Sequence, residues 1–215
     1  MAERKRPRRT RERILETSLD LFNRFGEPHI TTADIAGEMN ISPGNLYYHF
    51  RNKDDIINEL YASFEQGVRP LFADPEGRPV DVDDLWLLLH LLFERMREYR
   101  FLYRDLVDLT SRYRRIGTRF ADLLREGEST VREMCRGMTR SGNMRAEEHE
   151  LAALGRNAML IATHSMAYDR LEKPVAGEEQ PPDFGRAAYY VLVLIAPYLV
   201  GDARTLLDRL SHDYL

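Results

Sequence analysis

The side chains best suited to recognise another molecule lie close together in a short segment, at positions 43–49. Asn45, Tyr47 and His49 carry groups that can hydrogen-bond DNA bases or phosphates, and small residues precede them and allow close approach. Leu46 and Phe50, four residues apart, can anchor the segment inward. The segment is too short and too polar for a core helix, so its chemistry favours contact with nucleic acid.

The sequence on either side supplies the signals that would position this segment. Thr31 is followed three residues later by Asp34, the pattern of a capping box that opens a helix. Asn40 tolerates a left-handed turn, and Ser42 with Pro43 gives an N-cap and a first-turn proline for the next helix, which runs to about His49. Two short helices joined by a three-residue turn predict a helix-turn-helix, whose second helix enters the major groove.

The rest of the chain is typical of further helices. An apolar face runs from Ile14 to Phe25 and ends at Gly26, and Asn52 opens a connector helix reaching about Arg69. Long stretches with helical spacing follow, and no segment alternates with period two. The predicted fold is all-α, with an N-terminal three-helix head that contains the helix-turn-helix and a C-terminal helical domain for ligand binding and dimerisation.

The charge is distributed unevenly along the chain. Residues 1–13 hold seven Lys or Arg against two Glu, a local charge of +5, whereas the whole chain carries −4. The remainder is therefore strongly acidic, which suggests a basic arm attached to an acidic body. A solvated, disordered tail is the alternative that the charge run alone leaves open.

These motifs together resemble the DNA-binding signature of the tetracycline-repressor (TetR) family. The resemblance covers roughly residues 8–68 and rests on the strings Thr32-Ala33-Asp34-Ile35-Ala36 and Ile41 to Lys53; Asn40 stands where many members have Gly. It implies a basic arm (1–7), a DNA-binding domain (8–68, motif 31–50) and a ligand-binding and dimerisation domain (80–215). Phosphate contacts are expected at Thr32 and Lys53. The full set of predicted DNA contacts is Thr32, Ser42, Pro43, Gly44, Asn45, Tyr47, Tyr48, His49 and Lys53.

The resemblance also implies partners. A homodimer would bind double-stranded DNA at a pseudo-palindromic operator, and an apolar or amphipathic small molecule would release it, making the protein a repressor. An activator, or a regulator of the same fold without a ligand, is the alternative. The dimer interface is expected on the apolar helices at 146–171 and 182–199, and Pro197 should kink or end the second of them. An exposed loop is expected at 173–183, and a last amphipathic helix from Asp202 to Tyr214.

A cavity for the effector is predicted in the C-terminal domain. Aromatic, methionine and histidine side chains fall on apolar helices there, and ligand sites combine large apolar surfaces with a few polar groups. A filled core with hydrogen-bonded histidines is the competing interpretation. The candidate ligand-binding residues are Trp86, His90, Phe93, Phe120, Met159 and His164.

Other functional classes receive less support. The sequence has no Gly-rich phosphate loop, no Gly-x-Ser-x-Gly and no His-Glu-x-x-His, so we predict no enzyme, no catalytic residue and no cofactor. Paired metal-ligand spacing is absent, and the single cysteine, Cys135, fits a reducing cytoplasm. No apolar run is long enough for a membrane span. An architectural DNA binder without sequence preference fits poorly with the acidic body.

Overall fold

The computed structural model of the protein describes residues 7–73, 80–172 and 184–212. The all-α prediction is confirmed, since the one β feature in these ranges is an isolated bridge between Met144 and Leu199. Most of the predicted arm, the break at 74–79, the loop at 173–183 and Tyr214 lie outside the described residues. The helices are α1 (Pro7–Phe25), α2 (Thr32–Glu38), α3 (Pro43–His49), α4 (Lys53–Val68), α5 (Val82–Glu98), α6 (Phe101–Arg104), α7 (Leu106–Arg112), α8 (Arg114–Arg140), α9 (Glu148–Glu172), α10 (Phe184–Ile195) and α11 (Asp202–His212).

The first four helices form the head. α1 packs against α2 and α4, and α2 packs against α3. Ile14 and Phe22 from α1 are fully buried, as are Ile35 from α2 and Ile57 from α4. Burial of such apolar side chains is the main source of stability in a domain of this size. Phe25, predicted on the inner face, is instead 46 % exposed: it is the last residue of α1, and the Arg24 guanidinium covers its ring at 4.8 Å.

The connector predicted from the sequence is confirmed as α4. Its first half contributes Ile56 and Ile57 to the core of the head, and its second half buries Phe64 and Val68. The same helix packs against α1 at one end and against α5 and α8 at the other. A change in the body that shifts α4 therefore reaches the head through a continuous helix.

The remaining helices form the body around α8 and α9, which pack extensively against each other. α10 covers α9 and α5, and α11 packs on α5 and α10. α10 ends at Ile195 and is followed by a 3-10 turn that contains Pro197, as the proline predicted. Among the described helices, none is long and apolar enough to cross a membrane.

Candidate nucleic-acid interface

The turn between α2 and α3 is built by the local signals found in the sequence. The Thr31 side chain accepts a hydrogen bond from the Asp34 backbone N–H while the Asp34 carboxylate accepts from the Thr31 N–H, a complete capping box. Asn40 has a φ of 52°, in the left-handed region that asparagine tolerates. Ser42 then caps α3 through the Asn45 N–H. These caps fix the residues at which α2 and α3 begin, and the two helices then pack directly against each other.

α3 turns one face inward and the rest outward. Leu46 and Phe50 are 0 % and 2 % exposed, so the predicted inward anchors are confirmed. The outward residues are accessible to a molecule as large as a DNA duplex. Tyr48, whose side chain is 79 % exposed, is the most exposed aromatic residue among them. Of the predicted contacts, Ser42, Pro43, Gly44, Asn45, Tyr47 and Tyr48 are exposed, and Thr32 and His49 are half-buried.

Two of the predicted contacts touch each other across the helix pair. The Thr32 hydroxyl and the Tyr47 phenol lie 3.0 Å apart in a hydrogen bond. Tyr47 is half exposed, and its ring stands at the start of α2. The bond holds the phenol in one orientation, which would reduce the entropy lost if the phenol bound a phosphate or a base edge.

Gly44, in the first turn of α3, has free space around it. A Cβ atom built at this position would meet no heavy atom within 4 Å. The packing of the protein does not require a glycine here, and a helix favours alanine. The feature that a glycine does provide is a bare backbone at the exposed tip of α3, where another molecule can approach closely.

Lys53 has a partner that the sequence did not predict. Its ammonium lies 2.8 Å from Oε1 of Glu27 and donates to the Glu27 backbone carbonyl oxygen at 2.5 Å. The side chain of Lys53 is 21 % exposed, so the amine is partly accessible at the start of α4. The Lys53 ammonium is therefore fixed by Glu27, and Lys53 is not the freely solvated lysine that was the alternative to a phosphate contact.

Glu27 itself was missed by the sequence reading. It lies in the 3-10 turn between α1 and α2, is 2 % exposed, and also accepts from Arg112 at 2.6 Å and from the Tyr113 hydroxyl at 3.1 Å. Burial alone would raise the pKa of its carboxyl, but the hydrogen bonds and charges of Arg112 and Lys53 lower it below its usual value. The partners are 26, 85 and 86 residues away, and no local pattern could have indicated them.

The basic segment at the N-terminus extends into α1. Arg11, counted in the basic stretch, forms an ion pair with Glu59 of α4, and its guanidinium lies over the Phe50 ring at 4.8 Å. Arg11 thus braces α1 and α4 inside the head.

The six candidate ligand residues divide between the interior and the surface of the body. Phe93, Phe120 and Met159 are buried in the body, and Trp86 is half-buried with its ring stacked on His90 at 5.3 Å. His90 and His164 are exposed. Helical spacing assigned both histidines to a ligand-facing side, but α5 and α9 each have a second, outward apolar face, and the histidines lie on it.

Two clefts on the described surface lie elsewhere. One of about 390 Å³ opens between the start of α5 and α11, and a shallower one of about 660 Å³ lies beside the end of α4 and α5. Neither is lined by any of the six residues. Within the described ranges, no group of three or more His, Cys, Asp or Glu side chains has an arrangement that could hold a metal ion.

Comparison with known proteins identifies the two halves of the chain separately. The family model described as "Bacterial regulatory proteins, tetR family" matches residues 14–60, and the TetR model described as "Bacterial transcriptional repressor" matches residues 63–207. The "Probable acrEF/envCD operon repressor" of Escherichia coli (strain K12) is 36 % identical over 53 residues, which are 25 % of this chain and 24 % of that protein. The chain thus spans about a quarter of the length of this curated relative.

Solved structures extend the similarity to the whole chain. A TetR-family transcriptional regulator from Marinobacter aquaeolei VT8 is 32 % identical, with a TM-score of 0.84, over 95 % of this chain and 98 % of that one. A SmeT–triclosan complex is 19 % identical with a TM-score of 0.63, over 91 % of this chain and 94 % of that one, a likeness that shows the fold alone. With family models over both halves and a relative aligned almost end to end, the chain belongs to the TetR family of bacterial transcriptional regulators.

Proposed function

We propose that this protein is a homodimeric repressor that binds a pseudo-palindromic operator through α3 and is released from it by a small molecule. The DNA-binding part of this proposal is supported by the two faces of α3, one buried in the head and one exposed. Leu46 and Phe50 fix it to the head, while Asn45, Tyr47 and Tyr48 face outward without packing on the protein core. An asparagine in this position can bond adenine through two hydrogen bonds, and tyrosine hydroxyls bond bases or phosphates.

The proposal assigns a task to each part of the chain. Residues 8–68 read DNA, residues 80–215 bind the effector and dimerise, and the arm at 1–7 adds charge that meets phosphates or a minor groove. No catalytic step belongs to the proposal. A regulator of chromosomal genes works in the cytoplasm, where the DNA is.

A dimer is proposed because the outer face of the body carries unpaired apolar side chains. Leu160, Tyr168 and Leu171 on α9 are 49 %, 62 % and 80 % exposed, and their spacing places them along one helix face. Tyr190 and Val193 on α10, which packs against α9, are 44 % and 43 % exposed. Contiguous apolar surface of this kind is typical of an interface, and His164 belongs to it by position. The same two helices were predicted to dimerise from the sequence.

The effector part of the proposal rests on the body and on one relative of the same fold. Phe93, Phe120 and Met159 supply buried apolar surface near α8, and SmeT was solved in complex with triclosan. We place the effector site at these three residues with Trp86 at its edge, and leave His90 and His164 to the outer surface. A ligand there would need to part packed helices, so it would bind best to a body conformation that differs from the one described.

Selection from a random oligonucleotide pool, followed by footprinting, tests the DNA-binding part. The expected product is an inverted repeat whose half-sites lie about 34–36 Å apart, one turn of DNA, because a two-fold dimer presents two reading helices at that spacing. Failure to enrich any sequence at low salt would contradict the proposal.

A titration tests the effector part. A compound found by thermal-shift screening should bind more weakly when the selected operator is present, by the same factor by which it weakens DNA binding. A coupling of 1–3 kcal/mol, roughly 5- to 150-fold, is typical of allosteric proteins. Equal affinity with and without operator would show that the compound is not an effector.

A further inference from the structure

One buried carboxylate joins the head to the body. Glu27 begins the 3-10 turn that follows α1 and Gly26, and its two oxygens are shared among three partners. Oε1 accepts from Lys53 at 2.8 Å and from the Tyr113 hydroxyl at 3.1 Å, and Oε2 accepts from Arg112 at 2.6 Å. Lys53 begins α4 in the head, whereas Arg112 ends α7 and Tyr113 precedes α8 in the body. We call these four residues the Glu27 cluster.

The cluster fixes the position of the Lys53 ammonium. An ammonium has three N–H donors, and two of them are used by the carboxylate and the backbone carbonyl of Glu27. The third remains, and the partial exposure of the side chain leaves it access to the surface. Lys53 is also the first residue of α4, and because Asp54 and Asp55 follow it, its ammonium is the group in this first turn that would attract an anion. A phosphate at this point would therefore meet a cation whose place is set by Glu27.

A second link supports a rigid connection at the same point. The Asn23 side chain near the end of α1 donates to the Glu98 carbonyl oxygen at 2.8 Å and accepts from the Phe101 N–H at 3.0 Å. The Phe22 and Phe101 rings are 5.4 Å apart beside it. The end of α1 is thus attached to the body, but only the Glu27 cluster includes a residue at the proposed DNA surface.

From this arrangement we infer that Glu27 is a positioning residue for DNA binding: it holds Lys53 against the body through Arg112 and Tyr113, and so sets where the head meets the DNA backbone. The inference rests on the proposed function. Glu27 itself touches no DNA, since it is buried behind Lys53. Because two heads must fit one operator at a fixed spacing, an error in the attachment of each head lowers operator affinity more than affinity for random DNA.

The charge balance gives this inference a distinctive signature. Glu27→Gln removes one negative charge from the head and leaves the cations Lys53 and Arg112 around a neutral amide instead of the carboxylate that they share. Random DNA, which is bound through net charge, should be held as tightly as before or more tightly. Operator DNA should lose affinity, so the ratio of operator to random affinity should fall by roughly tenfold, the scale of a hydrogen bond to a charged group.

The experiment measures that ratio for full-length variants on the selected operator and on a scrambled duplex of the same composition. Tyr113→Phe removes only one hydroxyl and serves as the mild variant if Glu27→Gln folds poorly; it should lower the ratio less. Asp20→Asn is the charge-matched control, because Asp20 pairs with Arg24 at 3.1 Å on the exposed side of α1. The control should leave the ratio unchanged. Circular dichroism and sedimentation establish that each variant is folded.

A double-mutant cycle tests the route through Lys53. Lys53→Met should weaken binding to both duplexes and reduce the salt slope by about one phosphate contact. In the Lys53→Met background, Glu27→Gln should have little further effect on the ratio, since the residue it positions is gone. An undiminished effect there, or an unchanged ratio in Glu27→Gln, would overturn the inference. So would an equal loss on both duplexes, which is the signature of a destabilised head. Failure to select any operator would instead contradict the proposed function.

Discussion

At the scale of single residues, the interface combines side chains that face the solvent with side chains that are held from behind. Asn45 has its side chain free on the exposed face of α3, while Tyr47 is oriented by Thr32. Lys53 is oriented by Glu27. This division predicts different outcomes when each residue is removed.

Asn45→Ala should relax operator preference rather than abolish binding. The substitution removes a bidentate partner for a base and should cost roughly 1–3 kcal/mol on operator, with little change on random DNA. α3 should stay intact, because alanine favours a helix and the cap at Ser42 uses the backbone N–H of position 45. Competition binding with single-base operator variants measures the effect. An equal loss on every sequence would show that Asn45 contacts phosphate instead.

The lowered pKa of Glu27 predicts how stability depends on pH. A carboxyl whose folded pKa lies below its unfolded value, about 4.3, stabilises the protein above that value and loses this contribution as pH falls through the folded pKa. Glu27→Gln should therefore be less stable than wild type near pH 7, and the difference should shrink as the pH falls below the unfolded pKa of about 4.3 and through the folded pKa. Urea denaturation at each pH measures it. A difference that stays constant with pH would show that the carboxylate charge is not the stabilising feature.

At the scale of helices, the residues that cap each helix could be predicted from the sequence, whereas the side of a helix that faces the core was harder to predict. The caps at Thr31, Ser42 and Asn52 each join residues three positions apart, so the sequence pattern predicts them. All three caps are confirmed. The interior side of α9 could not be found in this way. α9 is apolar around much of its circumference, and periodicity cannot tell a core-facing side from one exposed on the body, which is why His164 was assigned to a cavity.

The crossing of α8 and α9 depends on a close approach that only glycine permits. A Cβ atom at Gly155 would lie 2.5 Å from the Glu128 backbone oxygen. Gly155→Ala should therefore push the two helices apart and destabilise the body by about 1–3 kcal/mol. Gly37→Ala, on the exposed side of α2 with free space around it, is the matched control and should stabilise by about 0.5–1 kcal/mol. Thermal unfolding should show shifts of opposite sign, and a neutral Gly155→Ala would contradict the packing argument.

The arm and α1 can be separated because the helix begins at Pro7. Deleting residues 1–6 removes Arg4, Lys5 and Arg6 but spares α1 and its Arg11–Glu59 ion pair. Affinity for all DNA sequences should fall, and the dependence of log K on log salt should flatten by up to about three phosphate contacts. An unchanged salt slope would mean that the arm does not contact DNA.

At the scale of the whole molecule, two kinds of surface are separated along the chain. The head presents polar and aromatic groups at α3, and the body presents apolar groups on α9 and α10. α4 and the Glu27 cluster lie between them. The family and the fold could be inferred from residues 8–68, because those motifs are local. The links between head and body join residues far apart in the chain, and only the folded structure brings them together.

The proposed dimer surface gives the last prediction. Leu160→Glu places a charge on the exposed apolar face of α9, and in a two-fold dimer the same charge from the partner would enter the same interface. Burying unpaired charges costs several kcal/mol, so the dimer should dissociate at micromolar concentration and operator affinity should collapse. Leu91→Glu on α5 is the matched control, since Leu91 is 42 % exposed against 49 % for Leu160. Sedimentation should show a monomer for the first variant and a dimer for the second. A dimer for Leu160→Glu and a monomer for Leu91→Glu would place the interface on α5. If both variants remained dimers, the interface would lie on neither helix face.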